Sequence, residues 1–230
     1  MFEGKEALLL DMNSTFMFGE DRFGSDEDFS DYYRSIGGEL STDVVNGVIR
    51  RSYDYLDEKY PIEKYRHSFP SLEEAIEVTS NVVISASEKE KIIETFSFHE
   101  HGEIPIGYVA ALKSLKEKFT LSLVIDIWAP KTMWVQTFQE LGIWELFSAH
   151  SFSSDHGMVK PSPKPFDIVV NELNLPKEKC LVIGDSIRRD LGGSQAAGID
   201  CVLVGGAKSD IAIGSYSNLL EFQENVQLCS

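Results

Sequence analysis

Short apolar runs, each closed by a polar residue or a glycine, recur along the chain. The clearest four are ALLLD (7–11), LSLVID (121–126), CLVIGD (180–185) and DCVLVGG (200–206). Runs that stay apolar, instead of alternating with polar residues, are typical of parallel strands that are covered on both faces. The pattern therefore predicts a buried parallel strand at each of these four positions.

Stretches with apolar residues three and four positions apart lie between the predicted strands and predict helices. They are IGYVAALKSLKEKF (106–119), KTMWVQTFQELG (131–142), SPKPFDIVVNELNL (162–175) and RRDLGGSQAAGI (188–199). This alternation predicts an α/β fold, a doubly wound parallel sheet of the Rossmann-like kind, with its active site at the carboxyl ends of the strands. Asp11, Asp126 and Asp185 all stand at such ends.

Residues 18–104 interrupt the alternation, because they are predicted to be helices and connectors. Two segments, SLEE (71–74) and SEKE (87–90), fit the capping box that starts a helix. The segment holds nine Lys and Arg against twenty Asp and Glu, which is most of the chain's net negative charge and is typical of a solvated helix surface. We predict an all-helical cap over 18–104, inserted into an α/β catalytic core formed by 1–17 and 105–230.

The composition narrows the classes of partner. A net charge of −16 argues against non-specific nucleic-acid binding and against an anionic membrane surface. No apolar run approaches the ~20 residues of a membrane helix, and the first residues do not resemble a signal peptide. The three cysteines, Cys180, Cys201 and Cys229, form no CxxC pair. An odd and sparse set of this kind is typical of reduced thiols and predicts a cytoplasmic protein.

Four separated segments carry candidate chemistry. They contribute Asp11 with Thr15, Asp126 after LSLVI, Lys160 in HGMVKPSPKPF, and both Asp185 and Asp190 in GDSIRRD. Together, and in this order, they resemble the haloacid dehalogenase superfamily of aspartate-nucleophile hydrolases, along nearly the whole chain. The segments VKPSPKPF and VIGDSIRRDLGGSQAAGI are the closest fit, to the third and fourth motifs of that family.

The resemblance implies a role for each residue. Asp11 would be the nucleophile, whose attack on phosphorus gives an aspartyl-phosphate. Lys160 would pair with Asp11 and with the phosphoryl oxygens. Mg²⁺ would be held by Asp11, the backbone carbonyl of Asn13 and Asp185, with Asp190 completing or orienting this set. For Asp190, an ordinary acidic residue in the first turn of a helix stays open as the alternative.

Two positions depart from the family's phosphatases. Two residues after the nucleophile, these carry an Asp that protonates the leaving group and then activates water, whereas Asn13 cannot exchange a proton near neutral pH. Losing such help typically costs about 10²–10⁴ in rate. The second motif normally offers a Ser or Thr hydroxyl to the phosphoryl group, and here the position falls on Asp126. An ionised Asp126 would repel phosphate, so it must be protonated, turned away or bound to something else.

Three explanations of these departures stay open. In the first, Asp126 has a raised pKa and replaces the missing acid. In the second, the substrate has a leaving group that needs no acid, such as an acyl phosphate, or the reaction is one of the family's carbon–halogen or carbon–phosphorus hydrolyses. In the third, catalysis has been lost and the fold binds a ligand or a partner.

We therefore expect a Mg²⁺-dependent phosphatase that acts on a small, anionic and phosphorylated metabolite. The predicted catalytic residues are Asp11, Asn13, Asp126 and Lys160. The predicted metal ligands are Asp11, Asn13, Asp185 and Asp190. The alternatives are a catalytically impaired member that acts as a ligand-binding or regulatory protein, and a dehalogenase-like hydrolase. The sequence leaves the substrate open, because specificity lies in cap residues that carry no readable motif. It also leaves the oligomeric state open.

Overall fold

The computed structural model describes residues 2–228. Within that range the strands are β1 (Ala7–Leu10), β2 (Thr120–Ile125), β3 (Phe147–Phe152), β4 (Cys180–Gly184), β5 (Asp200–Leu203) and β6 (Gly214–Ser215). They form one sheet in the order β3-β2-β1-β4-β5-β6, and every neighbouring pair is parallel. The four strands predicted from continuous apolar runs are confirmed.

The sheet is buried on both faces, as its apolar runs predict. In β1, Leu8 and Leu10 belong to one buried cluster, while Ala7 and Leu9 belong to a second cluster on the opposite face. All four side chains are fully buried. A strand of this kind carries few polar residues along its length, and β1 carries none. The first polar position, Asp11, therefore stands at the rim of the sheet.

The described part of the chain contains ten α-helices. They are α1 (Ser30–Ser35), α2 (Thr42–Lys59), α3 (Leu72–Thr79), α4 (Ala86–Glu100), α5 (Ile106–Lys116), α6 (Thr132–Glu140), α7 (Ser153–His156), α8 (Lys164–Leu173), α9 (Gly192–Ala197) and α10 (Leu219–Leu228). A single π-helical turn, Ile187–Leu191, precedes α9. No helix within 2–228 is both long and apolar enough to cross a membrane.

The cap contains α1 to α4, which lie between β1 and α5 in the chain. Its boundaries at 17/18 and 104/105 stay a prediction. The capping box at 71–74 is confirmed in part, because the Ser71 hydroxyl accepts a hydrogen bond from the Glu74 amide at 3.1 Å. The predicted box at 87–90 is wrong by two residues. The Ser85 hydroxyl, not that of Ser87, accepts from the amide three residues on, Glu88, and α4 begins at Ala86.

Cap and core share one apolar interior. A continuous buried cluster includes Val48 and Phe96 of the cap together with Leu121 and Ile183 of the sheet. Burial across the junction means that the cap is packed onto the core rather than tethered to it.

Two cysteines lie in the core of the sheet, since Cys180 and Cys201 are buried and free. The third, Cys229, lies outside the described residues.

Candidate active site

The central position of β1 brings the first and fourth motifs together. Asp11 directly follows β1, and Asp185 directly follows the neighbouring strand β4. The Asp11 amide extends the ladder by donating to the Ile183 carbonyl at 2.8 Å. Because the strands are parallel, their carboxyl ends meet at one edge of the sheet. Two residues that are distant in the sequence therefore face the same cleft.

Lys160 joins the two halves of this site. Its ammonium group donates to the Asp11 carboxylate at 2.5 Å, to the Asp190 carboxylate at 2.7 Å and to the Val124 carbonyl at 3.2 Å. Lys160 is only 2% exposed. Thr15 adds a further donor at 3.3 Å to the other oxygen of Asp11. The third motif thus supplies a buried cation to the first and the fourth.

Asp190 is held in place on both of its oxygens. One accepts from Lys160, and the other accepts from the Ser186 amide at 3.0 Å. A side chain at Gly184 would put its Cβ 2.2 Å from the Asp190 carboxyl carbon, so the glycine at the end of β4 makes room for this carboxylate. Asp190 is therefore a buried partner of Lys160 and not a solvated acid in a helix turn.

The charges of the site perturb one another. Burial, reinforced by the charge of Asp190, raises the pKa of Asp11 to about 7, although Lys160 opposes this. Burial lowers the pKa of Lys160, but the carboxylates of Asp11 and Asp190 outweigh burial and leave it above its ordinary value. Burial and Asp190 also raise the pKa of Asp185. The Lys160 ammonium group and, at 4.0 Å from Asp185, the Arg189 guanidinium thus face three carboxyls, and the remaining negative charge favours a further cation.

The oxygen atoms of this cleft fit a divalent cation. One carboxylate oxygen from each of Asp11, Asp185 and Asp190 lies within 4.8 Å of the others. Within 2–228, Oδ1 of Asn13 and Oδ1 of Asp185 are buried atoms without a hydrogen-bond partner, and the nearest cation to the latter is Arg189, at 4.0 Å. Hard oxygen donors of this kind suit Mg²⁺. Asp190 is the weakest candidate ligand of the three, because both of its oxygens already accept hydrogen bonds.

Asp126 is bound to the protein itself. Its Oδ2 accepts from the backbone amide of Lys160 at 2.9 Å and from the Tyr60 hydroxyl at 2.7 Å. Burial raises the pKa of Asp126, while Lys160 and Tyr60 act in the opposite direction. Its Oδ1 has no hydrogen-bond partner within the described residues. The second motif therefore holds the backbone of the lysine loop to a cap residue.

The loop that follows β2 is held by side chains along its length. The Ile127 amide donates to the Ser153 hydroxyl at 2.9 Å. The next two amides, of Trp128 and Ala129, donate to the two carboxylate oxygens of Glu100 at 2.6 and 2.8 Å. Sequence analysis missed both cap residues, Tyr60 and Glu100, because each stands at the end of a helix with no motif around it.

The cap also docks on the loop that carries Lys160. The Phe69 amide donates to the Gly157 carbonyl at 2.7 Å, and the Val159 amide donates to the Arg66 carbonyl at 3.0 Å. Beside these bonds, the Trp128 ring packs against Phe69, with ring centroids 6.0 Å apart. The cleft is thus covered by backbone hydrogen bonds and aromatic packing, which restrict the access of water.

Comparison with known proteins places this chain in a family. A family model of haloacid dehalogenase-like hydrolases matches residues 6–198. Pyrophosphatase PpaX from Halalkalibacterium halodurans is 29% identical over 123 residues, which are 50% of this chain and 56% of that protein. The chain therefore matches little more than half the length of this curated relative.

Solved structures share the fold at low identity. The 2-haloacid dehalogenase from Pseudomonas syringae pv. Tomato has a TM-score of 0.66 and 18% identity, over 98% of this chain and 100% of that one. A HAD phosphatase from Thermococcus onnurineus has a TM-score of 0.63 and 17% identity, over 96% and 97%. The HAD-hydrolase YfnB from Bacillus subtilis, bound to magnesium, has a TM-score of 0.59 and 17% identity, over 96% and 98%. With the family match across most of its length, the chain belongs to the haloacid dehalogenase-like hydrolases.

Proposed function

We propose that the protein is a Mg²⁺-dependent phosphatase that acts on a small phosphorylated metabolite through Asp11. The observation that carries the proposal is the buried ammonium group of Lys160, 2.5 Å from Asp11 and 2.7 Å from Asp190, beside the carboxyl of Asp185. A cation between carboxylates at the carboxyl ends of parallel strands is suited to bind a phosphoryl group and to stabilise its charge.

The residues of the chain divide the work of the reaction. The Asp11 carboxylate attacks phosphorus, the bond to the leaving oxygen breaks, and an aspartyl-phosphate forms that water later hydrolyses. Lys160 neutralises charge on the phosphoryl oxygens, and it reaches them because Asp190 and the Val124 carbonyl fix its side chain. The docked cap excludes bulk water, which strengthens these interactions.

Asp11, the Asn13 carbonyl and Asp185 would hold the metal ion. When bound, Mg²⁺ supplies the positive charge that lets a carboxylate approach an anionic phosphate. The unpartnered Oδ1 of Asp185 supports this assignment. The magnesium in the YfnB structure, which has the same fold, agrees with it.

The names of the relatives support phosphate chemistry. Both a pyrophosphatase and a phosphatase are among the similar proteins. A cleft under a packed cap suits a metabolite better than a protein substrate. A dehalogenase is also among the neighbours, but the three clustered carboxyls favour a site for metal and phosphate over metal-free halide chemistry.

The residue at position 13 supports a second candidate, a catalytically impaired member that binds a ligand. An amide at this position cannot protonate a leaving group, and its Oδ1 has no hydrogen-bond partner within 2–228. Turnover separates the two candidates, because both use the same fold and the same charges.

The test is Mg²⁺-dependent release of phosphate from acetyl phosphate and from p-nitrophenyl phosphate, with Asp11→Ala as the control. Turnover that disappears in the control and on chelation of the metal supports the phosphatase. A preference for acetyl phosphate would show that the leaving group replaces the missing acid. Equal rates for the wild type and Asp11→Ala on both substrates would reject the phosphatase in favour of the binding protein or of a dehalogenase-like hydrolase.

A further inference from the structure

The loop Asp126–Ala129, which we call the β2 loop, is hydrogen-bonded to the cap at both ends. At its start, Asp126 accepts from Tyr60, the residue that follows α2. At its end, the amides of Trp128 and Ala129 donate to Glu100, the last residue of α4. Asp126 also accepts from the Lys160 amide. A path of direct contacts thus runs from Glu100 through the β2 loop to the backbone of the site lysine.

Glu100 is an unusual choice for holding two amides. It is 4% exposed, and no cation within 2–228 forms an ion pair with it. A buried carboxylate without a counter-charge is costly, and a neutral side chain could accept one of the two hydrogen bonds. Two amides presented side by side are matched in full only by an acceptor with two equivalent oxygens, which is an ionised carboxylate.

We propose that Glu100 is a positioning residue of the active site, whose two-oxygen grip on the β2 loop sets the positions of Asp126 and of the Lys160 backbone. It touches no reacting group. The part of the proposal that concerns turnover rests on the proposed function, whereas the part that concerns the loop does not.

The two hydrogen bonds from the β2 loop to Glu100 can be measured because they depend on the protonation state of Glu100. Burial, reinforced by the charge of Asp21, raises the pKa of Glu100 to about 8, although the amides of Trp128 and Ala129 act against this. The titratable groups that face it are Asp21, from the segment after β1, and Tyr53, from α2. A proton on Glu100 takes one of its oxygens away from an amide, so the grip is complete above this pH and partial below it.

The first experiment follows the loop without any substrate. In protein labelled with [¹⁵N]tryptophan, the backbone amides of Trp128, Trp134 and Trp144 give separate NMR signals, and Trp128→Phe assigns the one in the loop. We expect the Trp128 signal to move with a midpoint near pH 8 in the wild type and in the matched control Glu103→Gln. We expect no such movement in Glu100→Gln. Glu103 is exposed and lies three residues along the chain.

A Trp128 signal that titrates in the same way in Glu100→Gln, or that does not titrate in the wild type, would overturn the proposal. The variant Asp21→Asn distinguishes the titration of Glu100 from that of the neighbouring carboxyl, Asp21, whose pKa is raised to about 6. If Glu100→Gln does not fold, Glu100→Asp replaces it, because it keeps the charge and shortens the reach. Its Trp128 signal should still titrate but from a displaced position, and an unchanged position would contradict the grip.

The second experiment measures turnover. We expect kcat for acetyl phosphate to fall about 10- to 100-fold in Glu100→Gln with little change in KM, because displacement of a positioned group slows the reaction more than it weakens binding. The part of the rise of kcat that has its midpoint near pH 8 should be absent from this variant and present in Glu103→Gln, whereas the part near pH 7 that comes from Asp11 should be kept by both. A variant with the wild-type kcat and pH profile would refute the positioning role. A wild type without turnover would refute the phosphatase alone, since the amide titration does not depend on it.

Discussion

At the scale of single residues, the site depends on Lys160. It is the buried cation that links Asp11, after the first strand, to Asp190, after the fourth. Removing one partner of a buried charge network leaves the others unpaired, which costs more free energy than the network contributes when complete. The same residue therefore matters both for the folded state and for the proposed chemistry.

Lys160→Met should lower the free energy of unfolding by about 3–5 kcal/mol, because it leaves two buried carboxyls without a cation. Denaturation by urea, followed by circular dichroism, measures the change. The control is Lys164→Met at the exposed start of α8, which should stay within about 0.5 kcal/mol of the wild type. Equal effects of the two substitutions would contradict the buried network.

Asn13→Asp should raise turnover of phosphate esters with poor leaving groups by about 10²–10⁴-fold, since it places an acid two residues after Asp11, the proposed nucleophile. The gain should be much smaller for acetyl phosphate, whose leaving group needs no proton. Phosphate release from an ester with a poor leaving group and from acetyl phosphate measures the two gains. An equal gain on the two would argue that the new carboxyl acts in some other way than as an acid.

Asp126→Asn should keep most of the turnover, while Asp126→Ala should lose it. The reason is that an amide oxygen at this position can still accept from the Lys160 amide and from Tyr60, as Oδ2 does now. Steady-state kinetics of the two variants decide the matter. Loss of turnover in Asp126→Asn would instead support the explanation in which Asp126 replaces the missing acid.

At the scale of elements, the sequence predicts the strands that form a continuous apolar run and misses the strands that contain many polar residues or are very short. Four strands and the polar residues that close them are predictable because both of their faces are buried. Edge strand β3, with the sequence FSAHSF, has polar residues along its length, and the other edge, β6, is two residues long. Neither makes a continuous apolar run, so neither can be found from that signal.

The residues of the site also divide into those that the sequence predicts and those that it misses. Asp11, Lys160, Asp185 and Asp190 are carried by local motifs, and the sequence predicts that they meet. Tyr60 and Glu100 act through tertiary contacts with a loop more than twenty residues away in the chain, and nothing next to them in the sequence announces this. Their role depends on how the cap sits on the core, which is a property of the fold.

Ser85→Ala should lower the free energy of unfolding by about 1 kcal/mol, whereas Ser87→Ala should have little effect. Both serines are exposed and lie two residues apart, but only the Ser85 hydroxyl accepts from an amide of the first turn of α4. Chemical denaturation of the matched pair measures the difference. An equal loss in both variants, or a larger loss for Ser87→Ala, would place the start of the helix at the position expected from the sequence.

At the scale of the whole molecule, cap and core share one buried apolar cluster, and the folded chain carries a large negative charge. In the folded chain, burial raises the pKa of Asp11 from 3.8 to about 7 and that of Glu100 from 4.5 to about 8. At a pH between the ordinary and the raised pKa of either group, the folded chain holds a proton that the unfolded chain has released. The stability contributed by these groups is therefore complete below their ordinary pKa values and is lost as the pH rises through the raised ones.

In buffer without metal, the free energy of unfolding should fall as the pH is raised from about 5 to about 8.5. Mg²⁺ should stabilise the protein more at the higher pH, because the proposed metal site uses the ionised form of Asp11. Thermal unfolding with and without Mg²⁺ measures both effects, and Asp11→Asn should reduce both. Stabilisation by Mg²⁺ that is equal at the two pH values, or unchanged in the variant, would show that the ion binds elsewhere.

The strand order also has a consequence for synthesis. A ribosome makes β1 first, yet β1 lies in the middle of the sheet, between β2 and β4. One edge of this very apolar strand stays unpaired until Cys180–Gly184 has been made. Exposed strand edges promote association between chains. We therefore expect the nascent chain to need protection, by a chaperone or by the growing cap, until β4 has left the ribosome.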